Sequence, residues 1–186
     1  MDFLNSFELN ILEFINEHLS CGFLDKVMPI VTSLADAGIF WIIAAVIMLF
    51  FKRTRKMGLT VGVALVLGLA IGNGVLKPLI DRIRPYDFKE AMGGSVNLLI
   101  ERLHDGSFPS GHTLASFEAA GAMLLRDKRF GIPALILAII IAFSRLYLFV
   151  HYPTDILGGI VLGLLFAFCA YYIINAVYKK LCADKA

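Results

Sequence analysis

Charge is scarce in this chain. Only 17% of its 186 residues are Asp, Glu, Lys or Arg, while 59% are apolar and the mean hydropathy is +0.78; a soluble domain is closer to about a quarter charged. That composition excludes a water-soluble globular domain. A helix needs roughly 20 apolar residues to cross a bilayer, so the chain has room for about five or six crossings and for no separate soluble domain. Cysteine is also sparse. Cys21 lies in a polar linker, Cys169 within an apolar run and Cys182 in the basic tail, which excludes a disulfide framework. The first residues carry no basic cluster, and Glu8, Glu13 and Glu17 follow at intervals, so a cleaved leader is not expected. The net charge is only +2 and comes in blocks, which argues against nucleic acid as a partner.

What is present is a succession of apolar runs. Residues 3–19 place Phe3, Leu4, Phe7, Ile11, Leu12, Phe14, Ile15 and Leu19 on one side of a helix. That pattern fits a helix lying along the membrane interface, with Glu8 and His18 anomalous on its apolar side. Residues 27–51, interrupted by Asp36, and 57–80, ending at Lys77-Pro78, read as the first two spans. A polar loop from Asp81 to Phe108 with room for one short helix follows. Three further apolar helices are expected near 110–125, 131–150 and 154–178. The expected fold is all-α: a polytopic membrane helix bundle of five transmembrane spans plus an N-terminal interfacial helix, forming one domain over residues 1–186. The spaced pairs Gly58/Gly62, Gly68/Gly72 and Gly159/Gly163 read as close-packing positions between helices.

Basic residues set the expected orientation. Lys52, Arg53, Arg55 and Lys56, then Arg126, Lys128 and Arg129, then Lys179, Lys180 and Lys185 make ten of the 17 Lys and Arg, and all fall on one side of the drawn topology. By the positive-inside rule that side is cytoplasmic, and so is the C-terminus. The 81–108 loop and the turn at His151 then lie outside a plasma membrane.

Once that topology is drawn, ionisable residues collect at the extracytoplasmic ends of the spans. Lys77, Arg84, His112, Arg145, His151 and Asp155 are spread over 79 residues of sequence yet reach one level. If the helix continues past Pro78, Lys77 and Arg84 share a face two turns apart. Pro109-Ser110-Gly111-His112 opens an apolar helix, whose free N–H groups and dipole favour an anion. Asp155 lies one turn from His151 and can accept from Nδ1, leaving Nε2 as a nucleophile or base. Two histidines, three cations and a helix N-terminus point to phosphoryl transfer without metal or other cofactor, since those cations would repel a dication beside the histidines.

Three motifs carry a resemblance. They are Lys77, six residues, Arg84-Pro85; Pro109-Ser110-Gly111-His112; and Ser144-Arg145, five residues, His151, three residues, Asp155. Eleven specified residues at about 5% each coincide by chance at a level of about 10⁻¹⁴ before variable gaps are allowed. This pattern resembles the type 2 phosphatidic acid phosphatases, which share their active-site pattern with vanadium haloperoxidases. The resemblance implies that His151 attacks phosphorus to give a phosphohistidine, that Asp155 orients it, and that His112 protonates the leaving oxygen and then activates water. Lys77, Arg84, Arg145, Ser110 and the Gly111 N–H would hold the phosphate oxygens. It further implies a metal-free lipid phosphatase, with undecaprenyl diphosphate ranked first as substrate and phosphatidylglycerophosphate or phosphatidate next. Most members have six spans, whereas residues 3–19 look too polar to cross. The partners expected are the lipid substrate and the membrane, with no protein partner. A small transporter and a non-catalytic scaffold are the readings from other classes.

Other residues have plainer expectations. Ser144 and Pro85 read as structural, and Asn73 either orients Lys77 or bonds between helices. Asp36 and Glu118 lie inside apolar runs, where an uncompensated charge costs about 2.5–3.5 kcal/mol on insertion scales, so each should have a partner. His18 and His104 read as solvated, as do the loop residues Arg82 and Arg102, with a headgroup contact as the alternative for the two arginines. Tyr147, Phe149 and Tyr152 read as an interfacial belt or as part of a tail groove.

Overall fold

The computed structural model describes residues 2–183, and these fold as a bundle of helices. The chain runs through α1 (Asp2–Leu19), α2 (Gly22–Ser33), α3 (Ile39–Phe50) and α4 (Arg55–Leu67). A π-helical stretch, Gly68–Leu76, then carries the α4 rod into the one-turn α5 (Lys77–Ile80). After these come α6 (Pro85–Ala91), α7 (Gly111–Arg126), α8 (Lys128–Tyr147) and α9 (Pro153–Ala183). Among the described residues three helical rods are long and apolar enough to cross a membrane, starting at Arg55, Lys128 and Pro153. The pair α2 and α3, bent by 43° at Asp36–Gly38, makes a fourth if counted as one broken span.

Helix α7 is the axis of the bundle, packed between α8 and α9 and against α4. Its buried surface is mostly small, with Ala119, Ala120, Gly121 and Ala122 in sequence. Small residues let helices approach in lipid, where dispersion rather than water exclusion draws them together. At Gly163 of α9 a Cβ would stand 2.9 Å from the Leu114 carbonyl, so the two backbones are in contact there. Gly58 is likewise occupied, its Cβ position lying 2.6 Å from the Ala45 carbonyl of α3, but Gly62 faces open space. The pair expected to act together therefore divides: Gly58 closes the α3–α4 contact and Gly62 opens a cavity.

Helix α1 differs from a simple interfacial helix. Leu9, Leu12 and Ile15 pack on Tyr147–Tyr152 of the α8–α9 turn, while Phe3, Phe7 and Phe14 remain exposed. Asn5 and Glu8 point inward and are buried. Glu8 lies on the apolar side because it pairs with Arg82 at 2.6 Å and accepts from the Thr154 N–H at 2.7 Å. Arg82 is accordingly not a solvated loop residue.

The three basic blocks meet at one end of the bundle. Arg53 reaches Asp127 at 4.0 Å, Arg126 donates to Asn175 at 2.7 Å, and Lys56 lies 5.0 Å over the Tyr178 ring.

Candidate active site

The second span does not continue as one helix to Arg84. It ends at Ile80, and Asp81 takes a left-handed conformation (φ +39) before Arg84 becomes the N-cap of α6 ahead of Pro85. Proline restricts the residue before it to extended backbone, so Arg84 leaves the helical path. The two cations still converge, but through a bend and not along a shared helix face. Lys77 Nζ and Arg84 Nη2 each donate at 2.6 Å to the Asp105 carboxylate, on opposite oxygens. A π-helical stretch in the preceding two turns sets where Lys77 emerges, and such stretches often sit at functional sites.

Asp105 was not legible as a site residue. Burial would raise its pKa, but hydrogen bonds and charge from Lys77 and Arg84 outweigh burial and bring it down to about 2. The carboxylate bridges the two cations where an anionic ligand would be held.

His151 stands in the turn between α8 and α9, where Phe149 adopts φ +60. A bulky residue in that region is strained, and strain of this kind gathers at functional sites. The ring is 1% exposed. Nε2 lies 3.4 Å from Arg84 Nη1, and Nδ1 lies 3.5 Å from Asp155 Oδ2. The Nδ1 contact is longer than a hydrogen bond, and Nδ1 has no other partner among the described residues. Burial, reinforced by Arg145, Arg84 and Lys77, holds the His151 pKa well below the usual histidine range. The imidazole is therefore neutral, the form a nitrogen nucleophile requires.

Asp155 is anchored through both oxygens. Its Oδ1 accepts from Arg82 Nη1 at 2.7 Å and its Oδ2 from the Tyr152 N–H at 2.8 Å. Arg82 in turn donates to Asn5, Glu8 and Thr154 and stacks over the Tyr152 ring. The sequence signal for this network was Glu8 on the apolar side of α1, which required a buried cation.

Arg145 is 1% exposed, and its Nη1 donates to Thr32 at 2.5 Å. Its Nε and Nη2 have no hydrogen-bond partner among the described residues. Unpaired buried N–H groups on a guanidinium are costly and are suited to an incoming oxyanion. His112, at the start of α7, meets Asp36: Nε2 lies 2.8 Å from Oδ1. That contact gives Asp36 its expected partner. Glu118 departs from expectation, because its buried Oε1 has none among the described residues.

Lys77, Arg84, Asp105, His112, Arg145 and His151 line one cavity of about 1000 Å³, and Gly111 also faces it. Ser110 does not. It is fully buried, its Oγ accepts from Thr113 Oγ1 at 3.0 Å, and its N–H donates to the Asp155 carbonyl at 3.2 Å. The backbone bond fastens the start of α7 to α9. Asn73 lines the cavity against Gly111, while Lys77 takes Asp105 as its partner. Away from the charged end the cavity continues between α3 and α4 past Ile42, Val46, Gly62, Val63 and Val66. Tyr147 and Tyr152 do not form part of it: both are buried, with Tyr147 Oη donating to Asp25 at 2.5 Å. Arg102 pairs with Asp87 and Glu90 outside it.

Comparisons with known proteins show the family and the fold. A family model described as the PAP2 superfamily matches residues 57–179. An undecaprenyl-diphosphatase of Sulfolobus acidocaldarius is 35% identical over 124 residues, 66% of this chain and 58% of that protein, so the chain spans under two thirds of that relative. An undecaprenyl-diphosphatase of Bacillus subtilis is 31% identical over 78% of this chain and 72% of its own. The crystal structure of a transmembrane phosphatidylglycerolphosphate phosphatase from Bacillus subtilis superposes with a TM-score of 0.73 at 27% identity, covering 97% of this chain and 88% of that one. These likenesses, together with the three motifs, identify the chain as a membrane-embedded member of the PAP2 superfamily.

Proposed function

We propose that the protein removes the terminal phosphate from a lipid phosphate or diphosphate without a metal, with undecaprenyl diphosphate as the first-ranked substrate. The observation that carries this reading is the surrounding of His151. A neutral imidazole presents Nε2 to a cavity that also holds the side chains of Lys77, Arg84 and Arg145. Phosphoryl transfer depends mainly on positioning and on stabilising charge at the equatorial oxygens, and three cations around one nucleophile supply both.

In the first half-reaction His151 Nε2 forms a bond to phosphorus as the bond to the leaving oxygen breaks, and His112 gives that oxygen a proton. In the second, His112 takes a proton from water as the water oxygen attacks phosphorus and the N–P bond breaks. Asp155 holds the His151 ring from the Nδ1 side. Incoming phosphate displaces the Asp105 carboxylate from Lys77 and Arg84 and takes the unpaired N–H groups of Arg145. The Gly111 N–H at the start of α7 is a further donor.

The apolar continuation of the cavity favours a lipid over a soluble ester, because the chain can lie between α3 and α4 while the headgroup meets the cations. Names among the relatives favour a polyprenyl diphosphate, and a phosphatidylglycerophosphatase B of Bacillus subtilis, 32% identical over 78% of this chain, keeps glycerolipid phosphates as the second reading. The positive-inside rule supports a site on the extracytoplasmic face of the plasma membrane, with the C-terminus in the cytoplasm. A phosphate-release panel of undecaprenyl diphosphate, phosphatidylglycerophosphate and phosphatidate, in detergent with chelator, tests the proposal. Release that survives chelator and is lost in His151→Ala supports it, loss with chelator contradicts it, and the order of rates ranks the substrates.

A further inference from the structure

The partner of His112 comes from a part of the chain that holds no motif residue. Between α2 and α3 the apolar run is broken by Asp36–Gly38, where Ala37 (φ +49) and Gly38 (φ +68) are both left-handed. Alanine rarely adopts that conformation, so the surrounding structure imposes it. The break lies on the cavity, with Ala35, Ala37 and Gly38 in its wall, and its effect is to bring the Asp36 carboxylate to 2.8 Å from His112 Nε2. A continuous helix through this segment would have been simpler to build from such apolar residues.

The groups facing His112 explain why a carboxylate is needed. Arg145 of α8 and Lys77 at the end of the α4 rod share the cavity with it and act on it through their charge; His151 lines the same cavity from the α8–α9 turn, and Asp36 comes from the α2–α3 break. Both cations oppose a positive charge on the ring, and Asp36 is the anion in hydrogen-bond contact with it.

We propose that Asp36 is a positioning residue for His112: it accepts from Nε2–H, stabilises the imidazolium, and leaves Nδ1 as the nitrogen that exchanges a proton with substrate. This rests on the reading of His112 as general acid. In the first half-reaction the imidazolium gives its Nδ1 proton to the leaving oxygen as the O–P bond breaks and the His151 N–P bond forms. The neutral ring keeps Nε2–H on Asp36. In the second, Nδ1 takes the proton of the attacking water, and the imidazolium charge is again balanced by Asp36.

A consequence for substrate choice follows from leaving-group chemistry. A lipid monophosphate expels an alkoxide, which must be protonated as it leaves. A lipid diphosphate expels a phosphate monoester whose last proton has a pKa near about 6, so it leaves with little help. Asp36 thus sets how well the site handles monophosphates, and matters less for diphosphates.

The test compares farnesyl phosphate and farnesyl diphosphate as substrates of the full chain in detergent, with wild type, Asp36→Asn, Asp36→Glu, His112→Ala and the Asp36→Asn/His112→Ala double variant. Asp36→Asn should lower kcat on the monophosphate by about 10²-fold, the lower range for general acid catalysis. On the diphosphate the loss should be several-fold or less, with KM little changed on either. Asp36→Glu should recover part of the monophosphate rate, and the double variant should be no worse than His112→Ala alone. Equal losses on both substrates, or additive losses in the double variant, would overturn the proposal. If Asp36→Asn does not fold, the same comparison in Asp36→Glu decides, since a displaced carboxylate should also weaken the monophosphate rate selectively. Failure of the underlying reading looks different: His112→Ala itself would then show no dependence on the leaving group.

Discussion

Arg82 donates from Nη1 to Oδ1 of Asp155 at 2.7 Å, deep in the protein where neither side chain meets solvent appreciably. The same guanidinium reaches Glu8 at 2.6 Å, so one cation holds two buried carboxylates from opposite ends of the sequence. Removing one partner of a buried pair leaves a charge uncompensated, which typically costs about 3–5 kcal/mol. Arg82→Ala should therefore lower the thermal unfolding midpoint in detergent clearly more than Arg102→Ala, whose ion pairs are exposed. Equal midpoints for the two variants would contradict the role given to Arg82.

Asp155→Asn keeps the shape of the side chain but removes the charge that favours a proton on His151 Nδ1. Loss of an orienting carboxylate next to a catalytic histidine has been worth up to about 10⁴-fold in a serine protease. Here kcat should fall by about 10²–10⁴ with KM changing far less. An unchanged kcat would mean that Arg82 and the Tyr152 N–H hold the turn without help from the carboxylate charge.

In the proposed mechanism Asp105, which bridges Lys77 and Arg84, competes with phosphate for them, so Asp105→Asn should lower KM and make inorganic phosphate a stronger competitive inhibitor, each by several-fold. A raised KM would show that Asp105 orders the two cations and does not compete for them. Its pKa gives a separate expectation. The folded value, about 2, lies below the ordinary 3.8, so its contribution to stability is fully present above about 4 and is lost as pH falls through about 2. The side chain is 53% exposed, which keeps that contribution modest. Titration of unfolding midpoints between pH 5 and pH 7 should show no difference in slope between wild type and Asp105→Asn.

Gly62 and Gly163 should respond in opposite ways. A side chain at Gly62 enters open space within the cavity, so Gly62→Leu should fold normally and slow long-chain substrates relative to short-chain ones. At Gly163 a Cβ meets the Leu114 carbonyl at 2.9 Å, so Gly163→Leu should destabilise the α7–α9 contact whatever the substrate. Chain-length profiles and unfolding midpoints measured together separate the two effects. An unaltered profile in Gly62→Leu would remove the lipid chain from the space between α3 and α4.

Much of this was legible in the chain before any coordinates. Helix periodicity located α7, α8 and α9 within a few residues, and the motif spacings named Lys77, Arg84, His112, Arg145 and His151, all of which face one cavity. What could not be read depended on contacts between distant segments. Asp105 sits in a polar loop among other polar residues, and nothing local distinguishes it. Asp36 was visible as a misplaced charge, but its partner lies 76 residues away. Arg82 looked like a loop residue because its four acceptors come from α1 and α9. Ser110 opens α7 without lining the cavity, and motif spacing alone does not record that its hydroxyl meets Thr113 one turn along. The second span ends at residue 80, as its apolar run does, but the left-handed turn at Asp81 was not legible because apolar periodicity records which face is buried and not the path of the backbone beyond the helix.

In the proposed mechanism Nε2 of His151 becomes covalently bonded to phosphorus. The direct measurement is a single-turnover reaction with ³²P-labelled diphosphate substrate, quenched in alkaline detergent and mapped by mass spectrometry of the digested protein. One phosphorylated peptide carrying the modification on His151 is expected, formed before free phosphate appears and absent from His151→Gln. Phosphate released at the normal rate with no adduct at that residue, or an adduct on another side chain, would contradict it.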